Sequence, residues 1–450
     1  MAEGGDVGPG AMGTGGDEDL EVFMPEDAEV VADLEGQASD SEEDMDLEEQ
    51  DMELEGALPV DDVLDCERDD ARACLVACEA SGSSGKDPEP PKPVYAVKWN
   101  PKDPSMAACG CGDDRVRLWK PYHSEGANSI TLEGHEDTVI DVDFDATGKL
   151  LASGGMDGRV LVWSAITGEL LCALEGPGEA VEFVSWHPAG RVLLAGSEDM
   201  TLWMWNVAVS GDEAAQGGCK AEGQCMQVFT GHQAGVTCGG FTPNGKLVVS
   251  ASLDGTARVW NPRTGECQHT FAFEAKPSQE GAGGEGADEG ESGNALVSLS
   301  FSHDSTMVMC GRVDGGAHVA SLAASRVLFD MSEHKDSVES VAFHPSGQPF
   351  VATGSLDGSL VVWDANTAAP RVTCAHPGGV IRVQWGDGAF VYTCCLDGRV
   401  RRWDARSGQC DREWQGFVKP LLSMDVSPDG GSVVASSDDG TARVFSLAAA

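Results

Sequence analysis

Basic residues are scarce in this chain: 29 Lys and Arg stand against 75 Asp and Glu in 450 residues, a formal net charge of -46. A field of that sign repels phosphate backbones and anionic membrane surfaces and draws cationic partners, so direct nucleic-acid binding is not expected. No apolar run approaches the roughly 18 residues of a spanning helix, and no basic stretch leads into an apolar one at the N-terminus. Neither membrane insertion nor secretion is therefore expected. The 15 cysteines are scattered and odd in number, and no Asn-x-Ser/Thr acceptor occurs. Reduced thiols in the cytoplasm, with the nucleus as a second location, are the expectation.

Motifs that carry chemistry are missing as well. There is no P-loop and no G-x-S-x-G elbow. Gly8-Gly10-Gly13 and Gly281-Gly283-Gly286 have the spacing of a dinucleotide fingerprint, but neither follows a strand or opens a helix. The closest cysteine pairs, Cys109/Cys111, Cys394/Cys395 and Cys74/Cys78, lack zinc-site spacing. The sequence predicts no enzyme, no cofactor and no metal.

The charge is unevenly placed. Residues 1–70 hold 27 acidic residues and one basic residue, Arg68, with many glycines and few aromatics. Such a segment buries too little apolar surface to offset the entropy of ordering, which predicts a disordered acidic tail. Ser39 and Ser41, in ASDSEEDMD, resemble acidophilic kinase sites. Phosphate there would add to the charge.

What is present is a repeat. A short apolar strand, a turn, a second strand ending near Asp and a third strand ending in an aromatic recur eight times, with weaker copies at Trp119, Trp205, Ala320 and Phe445 beside the clear ones at Trp163, Trp260, Trp363 and Trp403. Each copy places an Asp six residues before its last position: Asp113, Asp157, Asp199, Asp254, Asp314, Asp357, Asp397 and Asp439. The spacings of 44, 42, 55, 60, 43, 40 and 42 residues match one four-stranded propeller blade, of roughly 40–45 residues, per repeat. The two long gaps hold polar, glycine-rich stretches, 210–224 and 276–294, expected to be surface loops. The last copy has three strands, so an edge needs cover. Residues 71–80, ARACLVACEA, are the expected donor, closing an all-β, eight-bladed ring over 71–450.

These phrases resemble the WD-repeat family, in which a His, a Ser or Thr, an Asp and a Trp of one blade share hydrogen bonds. Four repeats carry the full set: His135/Ser153/Asp157/Trp163, His232/Ser250/Asp254/Trp260, His334/Thr353/Asp357/Trp363 and His376/Thr393/Asp397/Trp403. The hydroxyl occurs only where the His does, as a buried Asp needing donors requires. These residues are expected to be structural.

In such a ring, three positions per blade point at a partner docked over the channel: the residues before and after the first apolar residue of the inner strand, and the residue before the turn Asp. These positions give Tyr95, Glu182, Glu198, Glu339 and Asp438, with Asp137, Asp141 and Asp336 nearby. None of the 24 positions is Lys or Arg, which predicts an acidic docking face.

Further resemblance is more specific. VEFVSWHPAGRVLLAGSEDMTLWMWNV (181–207), VYTCCLDGRVRRWDARSGQC (391–410) and the acidic segment ahead of the ring are similar to the angio-associated migratory cell protein family. Its fungal member is a dedicated chaperone of a large-subunit ribosomal protein, whose basic N-terminal segment docks on an acidic propeller face. The resemblance implies a monomer that escorts such a client, with the carboxylates gripping Lys and Arg and Tyr95 offering a stacking surface. The acidic tail would add attraction or compete for the same face. A general scaffold or adaptor in signalling or cell migration, and a histone-binding propeller, are the alternatives.

Overall fold

The computed structural model describes Leu64, Cys66 and residues 68–76, 91–122, 129–211, 219–273 and 294–448. Ser39, Ser41 and most of the 1–70 segment lie outside the described residues, as does the 276–294 insert up to residue 293. The backbone forms eight four-stranded antiparallel sheets. Blades 1 to 7 span 94–133, 139–174, 181–229, 236–272, 296–331, 340–375 and 380–414, and blade 8 joins 421–446 to Ala73–Val76. No helix among the described residues is long and apolar enough to cross a membrane.

The architecture follows from burial along each blade. Second strands such as Leu150–Gly155 and Ala107–Cys111 are buried at every position. A strand covered on both faces by neighbouring blades must be small or apolar throughout. Outer strands such as Ser129–Glu133 expose most of their length. The core therefore lies between blades: Leu150, Ala152, Val160 and Val162 of blade 2 pack on Val181, Val184 and Leu193 of blade 3. The sharp turn after the repeat Asp needs a left-handed residue, which Gly158, Gly255, Gly315, Gly358, Gly398 and Gly440 supply with φ of 70–79°.

Ala73–Val76 pairs antiparallel with Thr441–Ser446, Leu75 opposite Ala442. Leu75 is buried among Val434 and Val444 of blade 8 and Val94, Val97 and Trp119 of blade 1, so the closing strand also seals the first–last interface. Attachment begins ahead of residue 71. The Asp70 amide donates to Gln415 O (2.8 Å), the Gln415 amide donates back to Asp70 Oδ2 (3.0 Å), Asp69 pairs with Arg443, and the Leu64 amide donates to Val418 O (2.7 Å).

One expectation is corrected. The 210–224 stretch is not all loop, because Leu202–Gly211 and Cys219–Phe229 form one long hairpin with Val209 opposite Ala221 and Val207 opposite Gly223. The glycine-rich composition suggested a loop, yet pairing uses backbone, and Val207 and Ala221 bury toward Leu174 of blade 2. Residues 212–218 lie outside the described residues. In blade 5, where Ala320 replaces the usual Trp, Phe273 and Leu322 pack in the same cluster.

Candidate functional site

One hydrogen bond is repeated in every blade. The amide before the turn Asp donates to the carbonyl just ahead of the inner strand's first apolar residue: Gly112 to Pro93, Met156 to Thr138, Glu198 to Ala180, Leu253 to Gly235, Val313 to Ala295, Leu356 to Ser337, Leu396 to Gly379 and Asp438 to Pro420, at 2.8–3.1 Å. Its recurrence fixes equivalent positions around one channel mouth. Beneath it runs a channel of about 530 Å³ lined by all eight inner strands, including Tyr95, Glu182 and Glu339.

Glu182 and Glu198 face each other at this mouth. Burial, and then the neighbouring Glu198, push the Glu182 carboxyl up to about 7. Burial also raises the Glu339 carboxyl, with Asp336 adding to the rise. Among the described residues neither Glu182 nor Glu339 forms a salt bridge to Lys or Arg. Tyr95 is partly exposed, its hydroxyl made harder to ionise by burial and by Asp438. Asp137 and Asp336 are exposed and accept from the next amide, Thr138 at 2.6 Å and Ser337 at 2.8 Å.

The face is less uniformly acidic than its 24 positions suggest. Asp438 is paired within the chain to Lys419 at 3.0 Å. Lys98 and Arg382 line the channel below the mouth. Burial works against the Lys98 ammonium, but Asp425 and Asp143 outweigh it and hold the charge.

Asp141 is a correction. It is not an open docking group; its carboxylate accepts the Val184 amide of the next blade at 3.0 Å. The reason is general: each inner strand has a partner on one side only, and its remaining amides face the channel. Aligning the opening hexapeptides VYAVKW, VIDVDF, VEFVSW, VTCGGF, LVSLSF, VESVAF, VIRVQW and LLSMDV shows how they are satisfied. A polar fifth residue accepts from the sixth amide of the following blade: Asp143 from Trp186 (2.9 Å), Ser300 from Phe343 (3.2 Å), Gln384 from Val426 (3.0 Å) and Asp425 from Trp99 (2.7 Å). A polar third residue does the same one turn of the pleat higher: Asp141 to Val184 and Ser340 to Val383. Asp143, Ser300, Gln384 and Asp425 were overlooked in the sequence, although alignment of the eight phrases would have shown them. Burial pushes the Asp143 carboxyl up to about 6, with Lys98 opposing.

Three of the four expected hydrogen-bonded sets are complete. In blade 4 the Trp260 indole donates to Ser250 Oγ (2.9 Å), Ser250 lies 2.8 Å from His232 Nε2, and His232 Nδ1 lies 2.8 Å from Asp254. Indole only donates and carboxylate only accepts, so the protons run Trp to Ser to His to Asp. In blade 2 the Trp163 indole donates to Ser153 Oγ (2.9 Å), Ser153 lies 2.7 Å from His135 Nε2, and His135 Nδ1 lies 3.0 Å from Asp157. In blade 6 the Trp363 indole donates to Thr353 Oγ1 (2.9 Å), Thr353 lies 2.6 Å from His334 Nε2, and His334 Nδ1 lies 3.1 Å from Asp357.

Blade 7 departs from this pattern. His376 Nε2 reaches Thr393 (3.0 Å) and Trp403 donates to Thr393 (3.2 Å), but His376 Nδ1 lies 3.2 Å from Cys374 O. Asp397 is taken instead by Arg401, four residues on, which also binds Glu413. Arg117 holds Asp113 in the same way in blade 1, which has no such His. Burial, then Arg401, lower His376 to about 4. The hydroxyl residues of all four sets, Ser153, Ser250, Thr353 and Thr393, are 0% exposed. They belong to the blade interior, and none of them forms part of a surface that a docked partner could touch.

Segments 87–120, 126–164, 168–206, 223–261, 325–364 and 408–446 match the family model "WD domain, G-beta repeat". The strands of blades 5 and 7 that carry the repeat Asp lie outside these segments; one lacks the Trp and the other has the rerouted His. Angio-associated migratory cell protein of Canis lupus familiaris is 32% identical over 368 residues, covering 78% of this chain and 77% of that protein. Ribosome assembly protein SQT1 of Saccharomyces cerevisiae is 24% identical over 379 residues, covering 79% and 84%. The crystal structure of Chaetomium thermophilum Sqt1 bound to the N-terminus of the ribosomal protein L10 shares the fold, with a TM-score of 0.69 at 22% identity, covering 84% of this chain and 100% of that one.

Proposed function

Since the chain belongs to the WD-repeat family, and within it to the angio-associated migratory cell protein family, we propose that it is a non-catalytic cytoplasmic escort of a basic protein segment, such as a large-subunit ribosomal protein presents. The segment docks over the channel mouth, with Glu182, Glu198 and Glu339 holding its Lys and Arg side chains and Tyr95 stacking beside them. Asp438 joins once its pairing with Lys419 is exchanged. The observation that carries this reading is a pair of half-buried carboxylates at an open mouth, Glu182 and Glu339, with the exposed Glu198 beside Glu182 and no internal Lys or Arg partner among the described residues. A cation arriving there repays their desolvation with charge-assisted hydrogen bonds. The name of the yeast relative and the partner named for the Chaetomium structure support the choice of client.

Replacing Glu182→Lys together with Glu339→Lys is expected to weaken capture of a basic peptide about a hundredfold, ~2.7 kcal/mol, at moderate salt. Unchanged affinity by fluorescence anisotropy would overturn the reading.

The Glu182 carboxyl, raised to about 7, also sets a pH dependence. Below that value it is largely protonated in the free protein, and a bound cation expels the proton. Affinity is therefore expected to rise about tenfold from pH ~6 to ~8 and then flatten. Calorimetry in buffers of different ionisation enthalpy should show proton release on binding. Glu182→Gln should abolish both effects; a flat profile in the unaltered protein would remove Glu182 from the site.

A further inference from the structure

The eight mouth positions fixed by the repeated turn hydrogen bond carry charge in only two blades, at Glu198 and Asp438. Blades 4 to 7 present a continuous apolar arc there: Leu253 (37% exposed), Val313 (36% exposed), and the half-buried Leu356 and Leu396. The residues whose carbonyls hold this arc, Gly235, Ala295, Ser337 and Gly379, are all small. A Cβ built on Gly379 would lie 3.0 Å from Leu356 Cδ2 and 3.1 Å from Leu396 Cδ1, so the two leucines flank one glycine.

The arc adjoins acidic positions in two places. Gly235, which holds Leu253, would bring a Cβ within 3.3 Å of Glu198 Cα. Glu339 lines the channel and follows by two residues Ser337, whose carbonyl holds Leu356. In blade order Leu253 and Val313 lie between Glu198 and the blade of Glu339, with Leu356 in that blade and Leu396 in the next. Contiguous exposed apolar side chains mark interaction surfaces, and four residues alone are far short of the roughly 800 Å² per partner of a stable interface. They must act on the same ligand as the carboxylates.

We infer, resting on the escort reading above, that the client segment is an extended peptide in which aliphatic or aromatic residues are interleaved with Lys and Arg, the apolar side chains seating on Leu253, Val313, Leu356 and Leu396. Charge draws the segment in, and the arc selects among basic segments. Apolar contacts are insensitive to the screening that weakens exposed charge pairs, so selectivity should survive salt.

The test uses the full chain and two short synthetic peptides of identical Lys and Arg content, one with Leu and Phe between the cations and the other with Gly and Ser. The interleaved peptide is expected to bind about tenfold tighter, ~1.4 kcal/mol, and to keep that advantage as salt rises. Leu253→Ser with Leu356→Ser should erase the advantage while leaving both the Gly/Ser peptide's affinity and the thermal midpoint unchanged. Equal binding of the two peptides, with Glu182→Lys/Glu339→Lys still weakening both, would overturn the arc and leave the acidic face standing. Binding of neither peptide would overturn both.

Discussion

Leu75→Asp is expected to destabilise the ring by about 4 kcal/mol or more, while Val76→Asp, one residue along the same strand, should stay within about 0.5 kcal/mol. Leu75 is 7% exposed and sits in the apolar cluster between blades 8 and 1; Val76 is 53% exposed on the other face of the strand. Aspartate at position 75 must either carry an unpaired charge into that cluster or pull the strand away. Pulling it away leaves the outer edge of Thr441–Ser446 without its partner and opens the joint at which the ring closes. Urea denaturation gives the stability difference, and hydrogen exchange at Ala442 and Val444 should rise in the Leu75 variant alone. A cost of Leu75→Asp as small as that expected for Val76→Asp would show that the strand is dispensable.

The second large effect separates two histidines that look alike in sequence. His232→Leu is expected to cost about 3 kcal/mol, because it takes a donor from Asp254 and the acceptor from the Ser250 hydroxyl in a buried site, leaving only the Trp260–Ser250 bond of the set. His376→Leu should cost about 1 kcal/mol, because Asp397 belongs to Arg401, and Arg401→Leu should approach the His232 value. Burial alone would raise the Asp254 carboxyl, but hydrogen bonds from His232, Thr256 and the Gln233 amide outweigh it and hold the carboxyl well below its usual range. A depressed carboxyl stabilises the fold above its unfolded pKa of about 3.9 and loses that contribution as the pH falls through the folded value. The penalty of His232→Leu should therefore shrink in strongly acid solution. A His376→Leu penalty as large as that of His232→Leu would mean that the His–Asp bond forms in blade 7 as well.

Much of the architecture is legible in the chain because a blade is a local object. The strands of most blades lie within about 45 residues, and most carry the same signals: the apolar hexapeptide, the Asp-Gly turn and the closing Trp. The repeat in blade 5 can be read despite Ala320 because its turn Asp314 and Gly315 keep their places. The mouth positions can also be located, since they are counted from the same landmarks. What cannot be read is which of their side chains is free. Asp141, Glu182 and Glu339 look equivalent as acids at the start of an inner strand, yet one is bound to the next blade's amide and the other two are not. The difference is a shift of one residue along the strand, which decides whether a carboxylate meets a neighbouring backbone or the opening.

The sequence alone determined the repeat, its count and the side of the ring on which the turn residues gather, because periodicity and turn chemistry act between residues close in the chain. Only the tertiary structure decided how the ring is held and what its face offers. The staples from Asp143 to Trp186 and from Asp425 to Trp99 join different blades, the second across 326 residues. The choice of Arg401 over His376 for Asp397 is a competition between donors that depends on distance in space. The apolar arc is a property of four blades at once. Each of these arises where separate repeats meet, and no single repeat contains the information.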